Sequence, residues 1–191
     1  IATVILPNLS RQHAARDPGS FAHTLDWALR LICLIALPAI VALVILAEPI
    51  LVTLFQYGAT SAADTAMAAL SLRAYALGLL AFMLIKVLAP GFYARQDMKT
   101  PVRIGIIAMA VNMVLNIAFV LPLHFYWQIG HVGLALATSL AAYVNSFLLY
   151  RGLRKLGVYW RHQGWPALGL QMACANVAMA VVLVALMLVW G

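Results

Sequence analysis

The chain has 191 residues, of which 65% are hydrophobic and 9% are charged, with a formal net charge of +7. Soluble domains carry about 25% charged residues and roughly 45–50% apolar ones, so a soluble globule made from this chain would have too little polar surface to cover itself. A bilayer removes that difficulty by solvating an apolar exterior, and the fold class expected is all-α, a polytopic bundle of transmembrane helices.

In chain order, residues 1–9 read as the end of a helix already under way, and Asp17-Pro18-Gly19-Ser20 marks a turn in the stretch that follows. The first full apolar run covers residues 27–47. Just ahead of it, residues 21–30 are mildly amphipathic, suited to lying along the inner surface before the chain enters the bilayer. Tyr57-Gly58 punctuates the next stretch, and residues 66–94 form a second span if Lys86 is accepted inside it. Lys99-Thr100-Pro101 precedes a third run at 104–123, a fourth covers 132–150, and Gly164-Trp165-Pro166 precedes a fifth at 167–190. Each approaches or exceeds the ~20 residues that a spanning helix needs. The organisation expected is therefore a helix end at 1–10, a cytoplasmic loop at 11–26, and five spans at about 27–55, 66–94, 102–123, 132–154 and 167–190. Because the chain opens and closes inside apolar runs, it is expected to be a piece of a longer protein.

Orientation follows from the basic residues. Arg11 and Arg16 lie in the first loop, Arg95, Lys99 and Arg103 in the third, and Arg151, Arg154, Lys155 and Arg161 in the fifth, whereas the second and fourth carry no Lys or Arg. Alternation of basic and bare loops is what a five-span chain requires, and the positive-inside rule puts the basic loops in the cytoplasm and Gly191 at the outer face. Helical spans point to the bacterial inner membrane, since outer-membrane proteins use barrels. The aromatic groups Phe125-Tyr126-Trp127 and Tyr159-Trp160, with Trp165, fall at the proposed interfaces. This placement of charge argues against nucleic-acid binding. Cys33 and Cys174 sit within apolar runs and offer no disulfide framework.

A few residues break the apolar rule. Lys86 lies nine positions before Arg95, about 13 Å into the membrane at 1.5 Å per residue. A charge at such depth costs at least ~2.5–3.5 kcal/mol. Two readings offset that cost: a cation facing a water-filled cavity to meet an anionic substrate or carboxylate, or an ammonium snorkelling toward the headgroups. Pro90-Gly91 follows in the same helix and predicts a bend, as either a transporter hinge or a plain kink. Arg73 is a second candidate cation for substrate, and Pro38 reads as a structural kink. Asn112 and Asn116 share one helix face, with Thr138 at similar depth on the next span. They suit interhelical hydrogen bonding or, alternatively, a small-cation site for sodium. Asp17, Asp26, Glu48, Asp64 and Asp97 lie in or beside loops and form no catalytic pair. No His or Cys spacing suggests a metal centre, so an enzyme is disfavoured.

The stretch Val87-Leu88-Ala89-Pro90-Gly91-Phe92-Tyr93-Ala94-Arg95-Gln96-Asp97-Met98-Lys99-Thr100-Pro101-Val102 resembles a helix and loop of the MurJ (MviN) family of lipid II flippases, within the MOP exporter superfamily. Ile5-Leu6-Pro7-Asn8-Leu9-Ser10 and Leu54-Phe55-Gln56-Tyr57-Gly58 resemble the ends of that family's eighth and ninth helices. The resemblance implies the second half of a two-lobed transporter around a central cavity. The activity implied is moving the undecaprenyl-diphosphate-linked peptidoglycan precursor, lipid II, from the inner to the outer leaflet by alternating access. Lys86 then matches a family lysine facing a cationic cavity, and residues 167–190 form one wall of a groove for the lipid tail. Membrane potential or sodium would supply the driving force. The partners implied are lipid II, membrane lipids, the missing N-terminal half and proteins of cell-wall synthesis. A related exporter of O-antigen units or drugs is the alternative, followed by a non-transporting scaffold, which has little use for a buried cation.

Overall fold

The computed structural model describes residues 2–15, 17–56, 61–127, 129–159 and 164–190. Arg16, the Tyr57-Gly58 turn, Trp160, Arg161 and Gly191 lie outside the described residues, as do the side chains of Tyr126 and Trp127. Six helices follow one another: α1 (Ala2–Ala14), α2 (Pro18–Phe55), α3 (Ala62–Tyr93), α4 (Lys99–Trp127), α5 (Gly130–Lys155) and α6 (Trp165–Trp190). The last five are long and apolar enough to cross a membrane.

Helix α2 corrects the expected inner-surface segment at 21–30. Asp17 caps the helix by accepting hydrogen bonds from the Ser20 amide at 3.0 Å and its hydroxyl at 2.6 Å, and Pro18 fits the first turn, where no amide hydrogen is needed. From there α2 runs unbroken to Phe55, through Pro38 and Pro49. Phe21, Leu25, Leu29 and Ile32 repeat at helical spacing and are all but fully buried, so this amphipathic stripe faces protein and not headgroups. The link from α1 to α2 is correspondingly short. At 38 residues, or about 57 Å, α2 is far longer than the ~30 Å hydrocarbon core and extends well beyond it.

The stripe belongs to a core at the end of the bundle that carries the basic loops. Ile5 and Leu9 of α1, Leu88 and Phe92 of α3, and Leu149 and Leu153 of α5 complete its centre. Helices α3 and α5 run parallel, which the order of their contacts shows. Toward the far end, the Ser139 hydroxyl donates to the Ala74 carbonyl at 2.8 Å and the Tyr143 hydroxyl to that of Leu77 at 2.7 Å. Gly78 allows this approach, because a Cβ there would stand 2.5 Å from Ser139 Oγ. At the near end the packing is reciprocal: Phe92 lies against Gly152, while Leu153 lies against Gly91. Both helices then finish in the same Schellman pattern. Asp97 donates back to Phe92 at 3.1 Å with Gln96 at φ 59°, and Val158 donates back to Leu153 at 3.2 Å with Gly157 at φ 64°. Gln96 thus holds a left-handed position that usually falls to glycine. Helix α4 packs on α5 at Gly133, where a Cβ would meet the Phe119 backbone at 3.0 Å.

Helix α6 packs against α2 alone among the described helices. Its anchor is Asp26, which is buried and accepts three hydrogen bonds: from Arg30 Nε at 2.7 Å, Tyr159 Oη at 2.8 Å and Trp165 Nε1 at 2.8 Å. The Arg30 guanidinium also lies 5.5 Å from the centre of the Trp165 ring. Burial, and then the hydrogen bond to Asp26, push the Tyr159 phenol well above its ordinary pKa.

Two predictions follow from this packing. Gly78→Val should lower the melting temperature of the purified protein through an overpacking cost of about 1–3 kcal/mol. Gly105→Val, where no atom lies within 4 Å of the added Cβ, should leave it unchanged; equal effects would refute the close-approach account. Asp26→Ala strands the Tyr159 and Trp165 donors and should cost roughly 1–3 kcal/mol, with faster proteolysis between α5 and α6. Asp26→Asn, which keeps an acceptor oxygen, should lie between Asp26→Ala and the unchanged protein. Unchanged melting and cleavage in Asp26→Ala would rule out the anchoring role.

Candidate functional site

On α3, Val87 and Leu88 are buried against the bundle whereas Lys86 is exposed. Helical spacing puts Tyr75, Phe82 and Tyr93 on the same side as Lys86, and both tyrosines are exposed. Among the described residues Lys86 has no hydrogen-bond or ion-pair partner. Pro90, four positions on, has no amide hydrogen to give the Lys86 carbonyl. A cation and an undersupplied carbonyl therefore occupy one level of the helix, the lysine side chain on a side of the span turned away from the other helices.

The bend residues themselves are buried. Helix α3 continues through Pro90 and Gly91 to Tyr93, and Gly91 lies against Leu153. The C-terminal end of α3 is thereby held on α5.

Arg73 is turned elsewhere. Its Nε donates to the Val44 carbonyl at 3.1 Å, and Nη2 lies 3.5 Å from the Glu48 carboxylate, so it joins α3 to α2. Pro49, next along α2 from Glu48, leaves the Ile45 carbonyl without its amide donor, and Arg73 donates to the neighbouring Val44 carbonyl instead. The structure does not bring Arg73 and Lys86 together.

Asn112 and Asn116 meet each other: Asn116 Nδ2 donates to Asn112 Oδ1 at 2.9 Å. Asn116 Oδ1 is buried and has no partner among the described residues. The Thr138 hydroxyl is spent within its own helix, on the Leu134 carbonyl at 2.9 Å. Among the described residues no group of three or more His, Cys, Asp or Glu side chains could hold a metal ion.

Sequence reasoning missed the Asp26 anchor. Its local signal was the i, i+4 pair Asp26–Arg30; its other two donors lie 133 and 139 residues away in sequence.

Comparison with known proteins gives the wider frame. A family model described as lipid II flippase MurJ matches residues 1–191. The probable lipid II flippase MurJ of Vibrio cholerae is 52% identical over 177 residues, covering 92% of this chain and 33% of the relative. The lipid II flippase MurJ of Burkholderia cenocepacia is 43% identical over 180 residues, covering 94% and 34% respectively. A solved structure titled lipid II flippase MurJ, inward closed conformation, superposes with a TM-score of 0.77 at 26% identity, over 95% of this chain and 35% of that one. The chain thus spans about a third of the length of the curated relatives it matches. Matched from end to end by the family model, and carrying five helices able to cross a membrane, this multi-pass chain of the bacterial inner membrane belongs to the lipid II flippase MurJ family.

Proposed function

We propose that the chain is the greater part of one lobe of a lipid II flippase, a transporter and not an enzyme. The observation that carries this reading is Lys86, a cation within a span that has no partner among the described residues, on the side of α3 turned away from its own bundle. Against lipid, that ammonium would cost at least ~2.5–3.5 kcal/mol. Against a wet cavity it costs far less and offers a fixed positive charge to an anion. The relatives are about three times as long as this chain, so the remainder of the protein is available to close such a cavity over α3. The substrate of the family is a polyprenyl diphosphate, and a lysine suits it as a compact point charge with three donors.

In this reading Lys86 binds the diphosphate in the inward-facing state and α3 moves together with α5. Arg73 is a brace between α2 and α3. The paired asparagines hold each other, and the membrane potential, worth about 2.3 kcal/mol per charge per 100 mV, acts on the charged substrate. Lipid II, the rest of the same protein and proteins of cell-wall synthesis are the partners expected.

The test is rescue of bacteria depleted of their own lipid II flippase, scoring growth and the arrival of labelled lipid II on the outer leaflet. The full protein should rescue, and Lys86→Ala should lower outer-leaflet arrival at least tenfold at equal membrane abundance, equivalent to about 1.4 kcal/mol. Lys86→Arg, which keeps the charge, should retain a measurable part of it. Normal transport by Lys86→Ala would remove the proposed role of the lysine. Failure of the well-inserted, unchanged protein would redirect the reading to a related exporter.

A further inference from the structure

An apolar crevice of about 460 Å³ opens between α2, α3, α5 and the start of α6. Leu29 and Cys33 of α2, Leu84 and Leu88 of α3, and Phe147 and Tyr150 of α5 line it. Phe147 and Tyr150 also line a second hollow of about 610 Å³, whose other walls are Arg151, Arg154 and Lys155. Sharing two side chains, the two hollows adjoin, one apolar and within the bundle, the other walled by cations. The rim side chains are exposed, and none has a carboxylate partner among the described residues. The Arg154 guanidinium sits 6.0 Å from the centre of the Tyr150 ring, a side chain common to both hollows. Beside the crevice the Asp26 carboxylate is already saturated by Arg30, Tyr159 and Trp165 and adds no free negative charge.

We propose that these adjoining hollows together bind an anionic glycerophospholipid, with its phosphodiester held by Arg151, Arg154 and Lys155 and one acyl chain laid in the crevice. Membrane topology accounts for basic residues at a helix end, but it does not require an apolar slot directly beneath them. The combination matches a molecule that is anionic at one end and apolar at the other, and basic pockets between spans are a recurring form of headgroup site. The crevice lies within the usual size of small-ligand sites, about 300–1,000 Å³. It suits a single fatty acyl chain, whereas a polyprenyl carrier chain is several times longer. Lys86 lines neither hollow, so the site stands apart from the cation proposed to meet the transported diphosphate.

The test uses the full protein in phosphatidylcholine nanodiscs with a small amount of phosphatidylglycerol bearing a photoactivatable diazirine in mid-chain. After illumination, crosslinked peptides are mapped by mass spectrometry. Labelling should concentrate at residues 29–33 and 146–150. It should exceed that from a matching phosphatidylcholine probe about tenfold, since each basic side chain near the surface contributes a few-fold in affinity. The combined Arg151→Gln, Arg154→Gln, Lys155→Gln variant should lose the preference, and Arg95→Gln with Lys99→Gln should keep it. Equal labelling by both probes, or labelling spread over the outward face of α4 at Met109 and Met113, would overturn the proposal. Displacement of the probe by an equal amount of undecaprenyl phosphate would also overturn it, making the crevice a carrier-lipid site. If the triple variant fails to insert, the ratio of the two probes on the unchanged protein decides alone.

Discussion

Inside a bilayer, burying an apolar side chain against another helix removes it from lipid and not from water, so the hydrophobic effect gives helices little reason to associate. Association then depends on how closely backbones approach and on which polar groups meet across the gap. The seam between α3 and α5 answers both needs. Gly78 admits Ser139, two hydroxyls of α5 reach carbonyls of α3, and at the near end each helix offers a glycine to the other's large side chain. The remaining helices attach to this pair: α2 to one flank of α3 and α4 to α5, with α6 held through α2.

That seam constrains how the lobe can work. A proline and a glycine in sequence suggest a flexible joint, yet here both are buried and Gly91 receives Leu153 as a knob. The pair is therefore packed in place, and its effect at Lys86 is chemical: the missing amide hydrogen of Pro90 falls at the lysine's own carbonyl. On the proposed function, rearrangement between states takes place at surfaces that this bundle leaves open, such as the side of α3 that carries Lys86 and the sides of α6 away from α2.

The five long apolar helices were legible in the sequence because each follows from a local property, the length of an apolar run. Local capping is written in the chain at Asp17-Pro18 and at Ser61 with Asp64, but Asp17-Pro18 reads equally as a turn in a loop, and a capping box alone does not stand out from any other serine and aspartate. Contacts between helices were not legible. A span facing lipid on one side and protein on the other is apolar on both, so periodicity does not reveal which face packs. Residues 21–30 misled for the same reason, since an amphipathic stripe can turn toward headgroups or toward neighbouring helices. Among the candidate site residues, the isolation of Lys86 and the pairing of Asn112 with Asn116 follow from local chemistry. The attachment of Arg73 to Val44 and Glu48, and of Tyr159 and Trp165 to Asp26, depends on a tertiary arrangement that no short window of sequence contains.

The distance between Asp26 and its partners bears on how the chain is made. Trp165 lies 139 residues after Asp26, and synthesis at about 5–20 residues per second puts roughly 7–28 s between their emergence from the ribosome. During that interval the carboxylate has only Arg30, one turn along, to neutralise it. The membrane-inserted intermediate must tolerate α2 with its α6 contact unmade. Helix α6 is apolar enough to enter lipid without any neighbour, and so it can arrive late. The bonds from Tyr159 and Trp165 to Asp26 therefore form only after α2 to α5 have been made, so the seating of α6 on α2 waits on residues synthesised long after α2 itself.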